Sequence, residues 1–247
     1  MKKLRKTLVF FGIYGTIDKS VKKRENSYAL LGKEKTTMAR FDEMSALLQR
    51  GKARDLATMV QEELAAGVPA KDILEQSLII GMGIVGDKFK RNEVFVPEVL
   101  IAARAMNSAL TILRPALADS GVEPIGTAVI CTVKGDLHDI GKNLVKMMIE
   151  GTGINVIDLG VDCDKDKIVT AIKENNANVV CLSALLTTTM GYQKEVIDAI
   201  VEAGLRDQVK IMVGGAPVTE DFAKEIGADA YTPDAASAAE TARAFFA

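Results

Sequence analysis

The chain has 247 residues, one large domain or two small ones at about 100–200 residues per domain. Apolar residues make up 48% and charged residues 26%, enough for a core, while aromatics at 5% with no tryptophan exclude a surface of stacked rings. The net charge of −2 hides an asymmetry: residues 1–37 carry ten Lys/Arg against three Asp/Glu, leaving a body of net −9 that excludes nucleic acid as the main partner.

The basic start has some look of a secretory signal, since Lys2, Lys3, Arg5 and Lys6 precede an apolar stretch from Leu8 to Ile17. Gly12, Tyr14, Gly15 and Thr16 dilute that stretch, no small-x-small cleavage site follows, and Lys22-Lys23-Arg24 comes next. It is also too short to span a bilayer. Residues 1–37 therefore read as a basic, disordered extension, or as translation begun upstream of a natural start at Met38. Cys131, Cys163 and Cys181 are odd in number and sit in or beside apolar runs, as reduced, buried thiols do. The expectation is a cytoplasmic protein with no membrane segment.

From about 40 to 119 the apolar pattern is helical. Phe41, Met44 and Leu48 make a first stripe, and Leu56, Met59, Val60 and Leu64 a second. Leu74, Leu78, Met82, Val85 and Phe89 form a third, and Val99, Ala103, Met106, Leu110, Leu113 and Leu117 a fourth. Gly67-Val68-Pro69 and Arg91-Asn92-Glu93 mark breaks, and Pro97 suits the first turn of the last helix. Four amphipathic helices with short connections imply a small bundle over 38–120. Gly81, Gly83 and Gly86 cost the third helix about 1 kcal/mol each relative to alanine. Either something approaches that backbone closely or the glycines serve plain helix packing.

A linker, Asp119-Ser120-Gly121-Val122-Glu123-Pro124, leads to the region 121–247. Here short apolar runs at 127–132, 155–158, 179–182, 209–213 and 230–231 alternate with helical stretches near 141–150, 165–175, 189–203, 219–226 and 235–246. Such strands are buried on both faces of a parallel sheet, which predicts a doubly wound, five-stranded Rossmann-like or flavodoxin-like domain. Ligands in these folds bind beyond the carboxyl ends of the strands.

That rule gives weight to three loops. The first carries the chain's one histidine, in Lys134-Gly135-Asp136-Leu137-His138-Asp139-Ile140-Gly141. A single imidazole rules out two-histidine zinc or iron sites. Asp136, two residues away, can accept from one ring nitrogen and leave the other free as base or metal ligand. The loop after the third strand, Ser183-Ala184-Leu185-Leu186-Thr187-Thr188-Thr189, supplies hydroxyls or a helix cap. The loop after the fourth, Gly214-Gly215-Ala216-Pro217, reads as a close approach to backbone or as a tight turn. None of these is a phosphate-cradling or dinucleotide glycine pattern.

Together, Asp136-x-His138-x-x-Gly141, Ser183-x-Leu185 and Gly214-Gly215 resemble the cobalamin-binding signature D-x-H-x-x-G…S-x-L…GG. Over about 40–247 the chain is similar to the cobalamin-binding region of methionine synthase, and looks closer still to the free-standing corrinoid proteins of anaerobic methyltransferase systems. Those systems act on methanol, methylamines, betaines or aryl methyl ethers. The resemblance implies a cobalamin or related corrinoid bound base-off with His138 ligating cobalt, Asp136 holding the imidazole and Thr189 extending the relay. Threonine at 189 departs from the serine of methionine synthase. The displaced nucleotide tail would pass Gly141, Ser183, Leu185, Thr187, Gly214 and Gly215 and end near Asp234 and Ala235, with Gly135 and Asp139 also binding the cofactor. The helical cap would present Phe89, Val96 and Val99 to the methyl group.

The function so implied is a methyl carrier cycling between methylcobalamin and Co(I) states. Its partners would be a substrate-specific methyltransferase, an acceptor methyltransferase acting on tetrahydrofolate or a thiol, and a reductive activase. A mobile linker at 119–124 would let the apolar cap swing aside. No segment supplies a (β/α)₈ barrel of ~250 residues, so the chain is not a complete methyltransferase. A carbon-skeleton mutase subunit shares the signature but takes its upper face from a barrel. A B12-dependent regulator would need a DNA-binding domain, and a cofactor-free binding module would make the pattern incidental.

Overall fold

The structure, a computed structural model, describes residues 38–121 and 123–246; the basic extension expected at 1–37 lies outside the described residues. By contact, Met44–Ala247 forms one unit, and of the unit ending at Glu43 residues 38–43 are described and helical. The four helical stripes become α1 over 38–49, α2 (Ala53–Ala65), α3 over 70–90 and α4 (Val96–Asp119). Met44, Leu48, Leu56, Val60, Leu78, Met82, Met106 and Leu113 are all buried, as the periodicity requires. The core alternates these large side chains with Ala102, Ala105 and Ala109 of α4, which packs closely along α2. Alone among the described helices, α4 has the length and hydropathy of a membrane span, and the protein itself buries the face it packs with.

One helix departs from its expected stripe. Between Ala70–Ile73 and Ile80–Lys90, α3 contains a π-helical segment, Leu74–Ile79. The extra residue per turn rotates the face, so Ile73 and Ser77 point inward and Leu74 is only half-buried. The helical glycines divide. A Cβ on Gly81 would lie 3.2 Å from the Ser45 backbone, which is helix packing, whereas Gly83 meets nothing within 4 Å. A Cβ on Gly86 would lie 3.0 Å from the Met148 side chain of the α/β region.

After the linker come β1 (Thr127–Thr132), α5 (Ile140–Glu150), β2 (Asn155–Asp158), α6 (Lys165–Glu174) and β3 (Val179–Ser183). The expected helix at 189–203 is two pieces, α7 (Thr187–Met190) and α8 (Tyr192–Glu202), separated by Gly191. Then follow β4 (Lys210–Gly214), α9 (Glu220–Ile226), β5 (Ala230–Tyr231) and α10 (Ala235–Ala244). Side-chain caps start three of these helices: Asp164 for α6, Thr219 for α9 and Asp234 for α10.

All strand pairs are parallel, in the order β2-β1-β3-β4-β5. Alternate residues face opposite sides. Val129, Cys131, Val180, Leu182, Ile211 and Val213 form a closed core with Ile168 and Ile172 of α6 and Val196 and Ile200 of α8. The other side of the sheet carries α5 and α10, which pack on each other and receive α3 and α4 of the helical region. Because β1 has β2 on one side and β3 on the other, the loops after β1 and β3 lie adjacent, at the topological switch point.

Candidate functional site

The loop after β1 is built to hold a carboxylate. Thr132, the last residue of β1, donates its hydroxyl to the His138 carbonyl at 2.8 Å, and Gly135 N donates to Asp162 Oδ1 at 2.7 Å. Asp162 N returns a bond of 3.0 Å to the Asp136 carbonyl. The Asp136 side chain, fully buried, accepts from five donors. To Oδ1 come His138 N at 3.1 Å and His138 Nδ1 at 2.7 Å. To Oδ2 come Leu185 N at 2.7 Å, Leu186 N at 3.3 Å and the Thr189 hydroxyl at 2.8 Å. Burial opposes ionisation, but the bonds from Leu185, His138 and Thr189 outweigh it and hold the carboxyl well below the usual carboxylate range.

An ionised carboxylate only accepts, so the proton on the neutral imidazole sits on Nδ1 and the lone pair on Nε2. The His138 side chain is 52% exposed, and its free edge faces outward. Leu137, Ile140, Leu185 and Leu186, all exposed, bracket it on the two loops that meet at Asp136. Such an apolar ledge at a sheet edge marks a surface that something covers. Among the described residues no group of three or more His, Cys, Asp or Glu side chains converges on an ion. What the chain offers a metal at this edge is one imidazole, suited to a metal that brings its other ligands.

Beside the ring a cavity of about 660 Å³ runs down between the sheet and the pair α5 and α10. That is within the range of sites for cofactors and small molecules. Of the residues expected here, His138, Asp139, Gly141, Ser183, Leu185, Gly214, Gly215, Asp234, Ala235 and Phe89 line it. A Cβ on Gly141 would meet nothing within 4 Å, so that position opens to the cavity. Gly215 is required for another reason: its φ is +126°, and a Cβ would sit 1.8 Å from the Ala184 carbonyl oxygen. The close approach there is by the neighbouring loop of the protein itself.

Six expected residues are not on the wall: Asp136 and Thr189, which back the ring, and Gly135, Thr187, Val96 and Val99. Thr187 is exposed in the first turn of α7. Val96 is half-buried at the start of α4, and Val99 is fully buried. Val99 belongs to the stripe with Ala103 and Met106 by which α4 packs, and that packing claims it. Nor does Thr188 or Thr189 cap a helix: the N-cap of α7 is Leu186, and the Thr189 hydroxyl is given to Asp136.

Other residues on the wall carry no motif. Lys142 of α5, buried, pairs with Asp158 at the end of β2 at 2.6 Å, and Lys146 adds a second contact at 3.4 Å. Ile130, Cys181 and Met212 line the inner end from three adjacent strands. Only strand alternation combined with the register would have found them.

Residues 126–242 match the B12 binding domain family, and residues 40–114 match a second B12 binding domain family. The chain is 39% identical over 217 residues to trimethylamine corrinoid protein 1 of Methanosarcina acetivorans, covering 87% of this chain and 96% of that protein. It is 40% identical over 206 residues to monomethylamine corrinoid protein 1 of Methanosarcina barkeri, covering 82% and 95% respectively. The crystal structure of the methanol:cobalamin methyltransferase complex MtaBC from Methanosarcina barkeri contains a chain with a TM-score of 0.75 and 30% identity. The match covers 84% of this chain and 80% of that one.

Proposed function

This chain belongs to the B12-binding corrinoid proteins of anaerobic methyltransferase systems, and on that premise we propose that it is a methyl carrier with His138 as its cobalt ligand. The single observation that carries the role of His138 is the bond between its Nδ1 and a buried, ionised Asp136, which leaves Nε2 outward at the mouth of the cavity.

The residues present fit the group. The apolar ledge of Leu137, Ile140, Leu185 and Leu186 suits the face of a macrocycle, and the adjoining cavity suits its nucleotide tail. The corrinoid, when bound, supplies the cobalt that accepts and gives up the methyl group. Everything else falls to the chain. Asp136 orients the imidazole and fixes its proton on Nδ1, so the Nε2 lone pair is free to act as a ligand. Thr189 and the amides of Leu185 and Leu186 keep that carboxylate ionised inside the protein. Phe89, on the cavity wall at the end of α3, excludes water from the covered side.

The carrier reading implies two docking partners, a methyltransferase for the methyl donor and another that passes the group to a pterin or thiol. A reductive activase would restore the oxidised metal. The relatives divide between trimethylamine and monomethylamine, and methylamines are the donor class proposed for this chain. Domain boundaries of 38–120 for the cap and 121–247 for the corrinoid domain belong to the same proposal, as does a cytoplasmic location.

Reconstitution with hydroxocobalamin tests it. The wild type should retain one corrinoid per chain, and reduction to Co(II) should give a paramagnetic resonance spectrum split by one axial nitrogen. Protein labelled with ¹⁵N-histidine should turn each triplet of that splitting into a doublet, and His138→Ala should abolish it. Retention without any change on labelling would sink the assignment of His138.

A further inference from the structure

The cavity changes character with depth, and strand register is the cause. On the side of the sheet that carries α5 and α10, two rows of side chains cross β1, β3 and β4. At the carboxyl edge the row is Thr132, Ser183 and Gly214; two residues further in it is Ile130, Cys181 and Met212. The outer row is small or polar, and its Thr132 hydroxyl is engaged with His138. The inner row is apolar and buried, with all three residues on the cavity wall. Leu144 of α5 and Ala238 of α10 line the cavity from the helix side.

The wall hydroxyls of Ser183 and Thr232 stand at the level of the outer row, and the charged groups nearby are already committed. Lys142 Nζ is held by Asp158 and by Asn143 Oδ1, and the Asp234 carboxylate by the amide and hydroxyl of Ser237. Tyr231 pairs in register with Val213, and its side chain packs on the opposite core. Burial pushes the Cys181 thiol up to about 12, so it stays neutral and is a weak donor at most. The strand amides and carbonyls at this depth are used by the ladder.

Resting on the corrinoid reading above, we propose that Ile130, Cys181 and Met212 select the corrinoid by its lower base, accepting a benzimidazole or cresol ring and discriminating against a purine. A purine carries an exocyclic amine and ring nitrogens around its edge. Against this floor they would lose water and gain no partner, and a buried unpaired polar group weakens binding by about tenfold or more. A methyl-substituted benzimidazole or a cresol presents apolar edges there and loses nothing comparable.

The test is equilibrium binding of four corrinoids to the full chain freed of cofactor: dimethylbenzimidazolyl, cresolyl, adeninyl and tailless cobinamide, each followed by absorbance. The first two should bind with similar affinity, the adeninyl form about tenfold or more weaker, and cobinamide weaker than either. Cys181→Ser, nearly isosteric, and Met212→Gln each place a hydrogen-bonding group on the floor and should narrow the adeninyl difference by roughly threefold or more. Circular dichroism shows which variants fold, and Cys181→Ser stands by itself if Met212→Gln does not. Equal affinity for adeninyl and dimethylbenzimidazolyl forms overturns the selectivity while leaving the carrier reading intact. So does cobinamide binding as tightly as the tailed forms, or an unchanged ratio in the folded variants. Failure of all four to bind overturns the corrinoid reading and the selectivity with it.

Discussion

The two faces of one sheet are put to different uses. Against α6 and α8, Val129, Val180, Leu182, Ile211 and Val213 pack into one core of buried side chains. Against α5 and α10 the intervening residues of the same strands, Ile130, Cys181 and Met212, are buried yet line a cavity of about 660 Å³. Neither hydrophobicity nor strand geometry separates the two sets. The difference lies in what covers them: the cavity side is bounded by helices that also carry the site loop and the final strand-to-helix turn. The closed face keeps the loops in place, and the open face is free to be shaped to a ligand.

The largest expected effect tests how the open face is anchored. Lys142 is buried on the cavity wall, and its charge is compensated by Asp158. Asp158→Asn leaves that ammonium buried and unpaired, and should cost roughly 3–5 kcal/mol in urea denaturation at neutral pH. Burial opposes the Asp158 charge, but the bonds from Lys142 and Gly160 N prevail and lower its pKa. A lowered pKa stabilises the fold above the unfolded value of about 3.9 and loses that stability as pH falls through the folded one. The gap between variant and wild type should therefore shrink below about pH 4. A gap that persists undiminished in acid would show that the ion pair is not its source.

Next in size is a direct contrast of the faces. Ile211→Ala removes a fully enclosed side chain and should cost about 3 kcal/mol. Met212→Ala, one residue along, removes atoms that already border empty space and should cost roughly 1–2 kcal/mol. Equal losses would mean that the cavity face is packed as tightly as the other. The smallest effect is at the rim. Thr189→Ala deletes one of five donors to Asp136 and should cost about 1 kcal/mol, while Thr189→Ser keeps the bond and should restore most of it. If serine fails to rescue, the threonine acts through its methyl group and not its hydroxyl.

Much of the site was legible because its decisive interaction is local. Asp136 and His138 are two residues apart, and their contact follows wherever the loop folds. The placement of that loop, and of Ser183 and Gly214 beside it, follows from reading five strands between helices and knowing which edge of such a sheet binds ligands. The cap was less legible. Phe89 closes the third helical stripe and Val99 opens the fourth, but α4 turns Val99 into its packing interface while Phe89 reaches the cavity. Helical spacing says which residues share a stripe, and nothing about which neighbour the stripe meets. The π segment in α3 was hidden for a related reason: Leu74–Ile79 is compatible with an ordinary helix, and tertiary packing selects the wider turn.

From sequence alone came the kind and order of elements, the single imidazole with its carboxylate, and the glycines of the surrounding loops. These rest on spacing, on side-chain chemistry and on bonds between near neighbours in the chain. Only the tertiary structure decided that β1 lies between β2 and β3, that the amides of Leu185 and Leu186 complete the carboxylate's shell, and that Ile130, Cys181 and Met212 form one floor. Those are pairings between residues up to 51 positions apart along the chain. They are fixed by strand register and by which helix covers which face, and no local pattern encodes either.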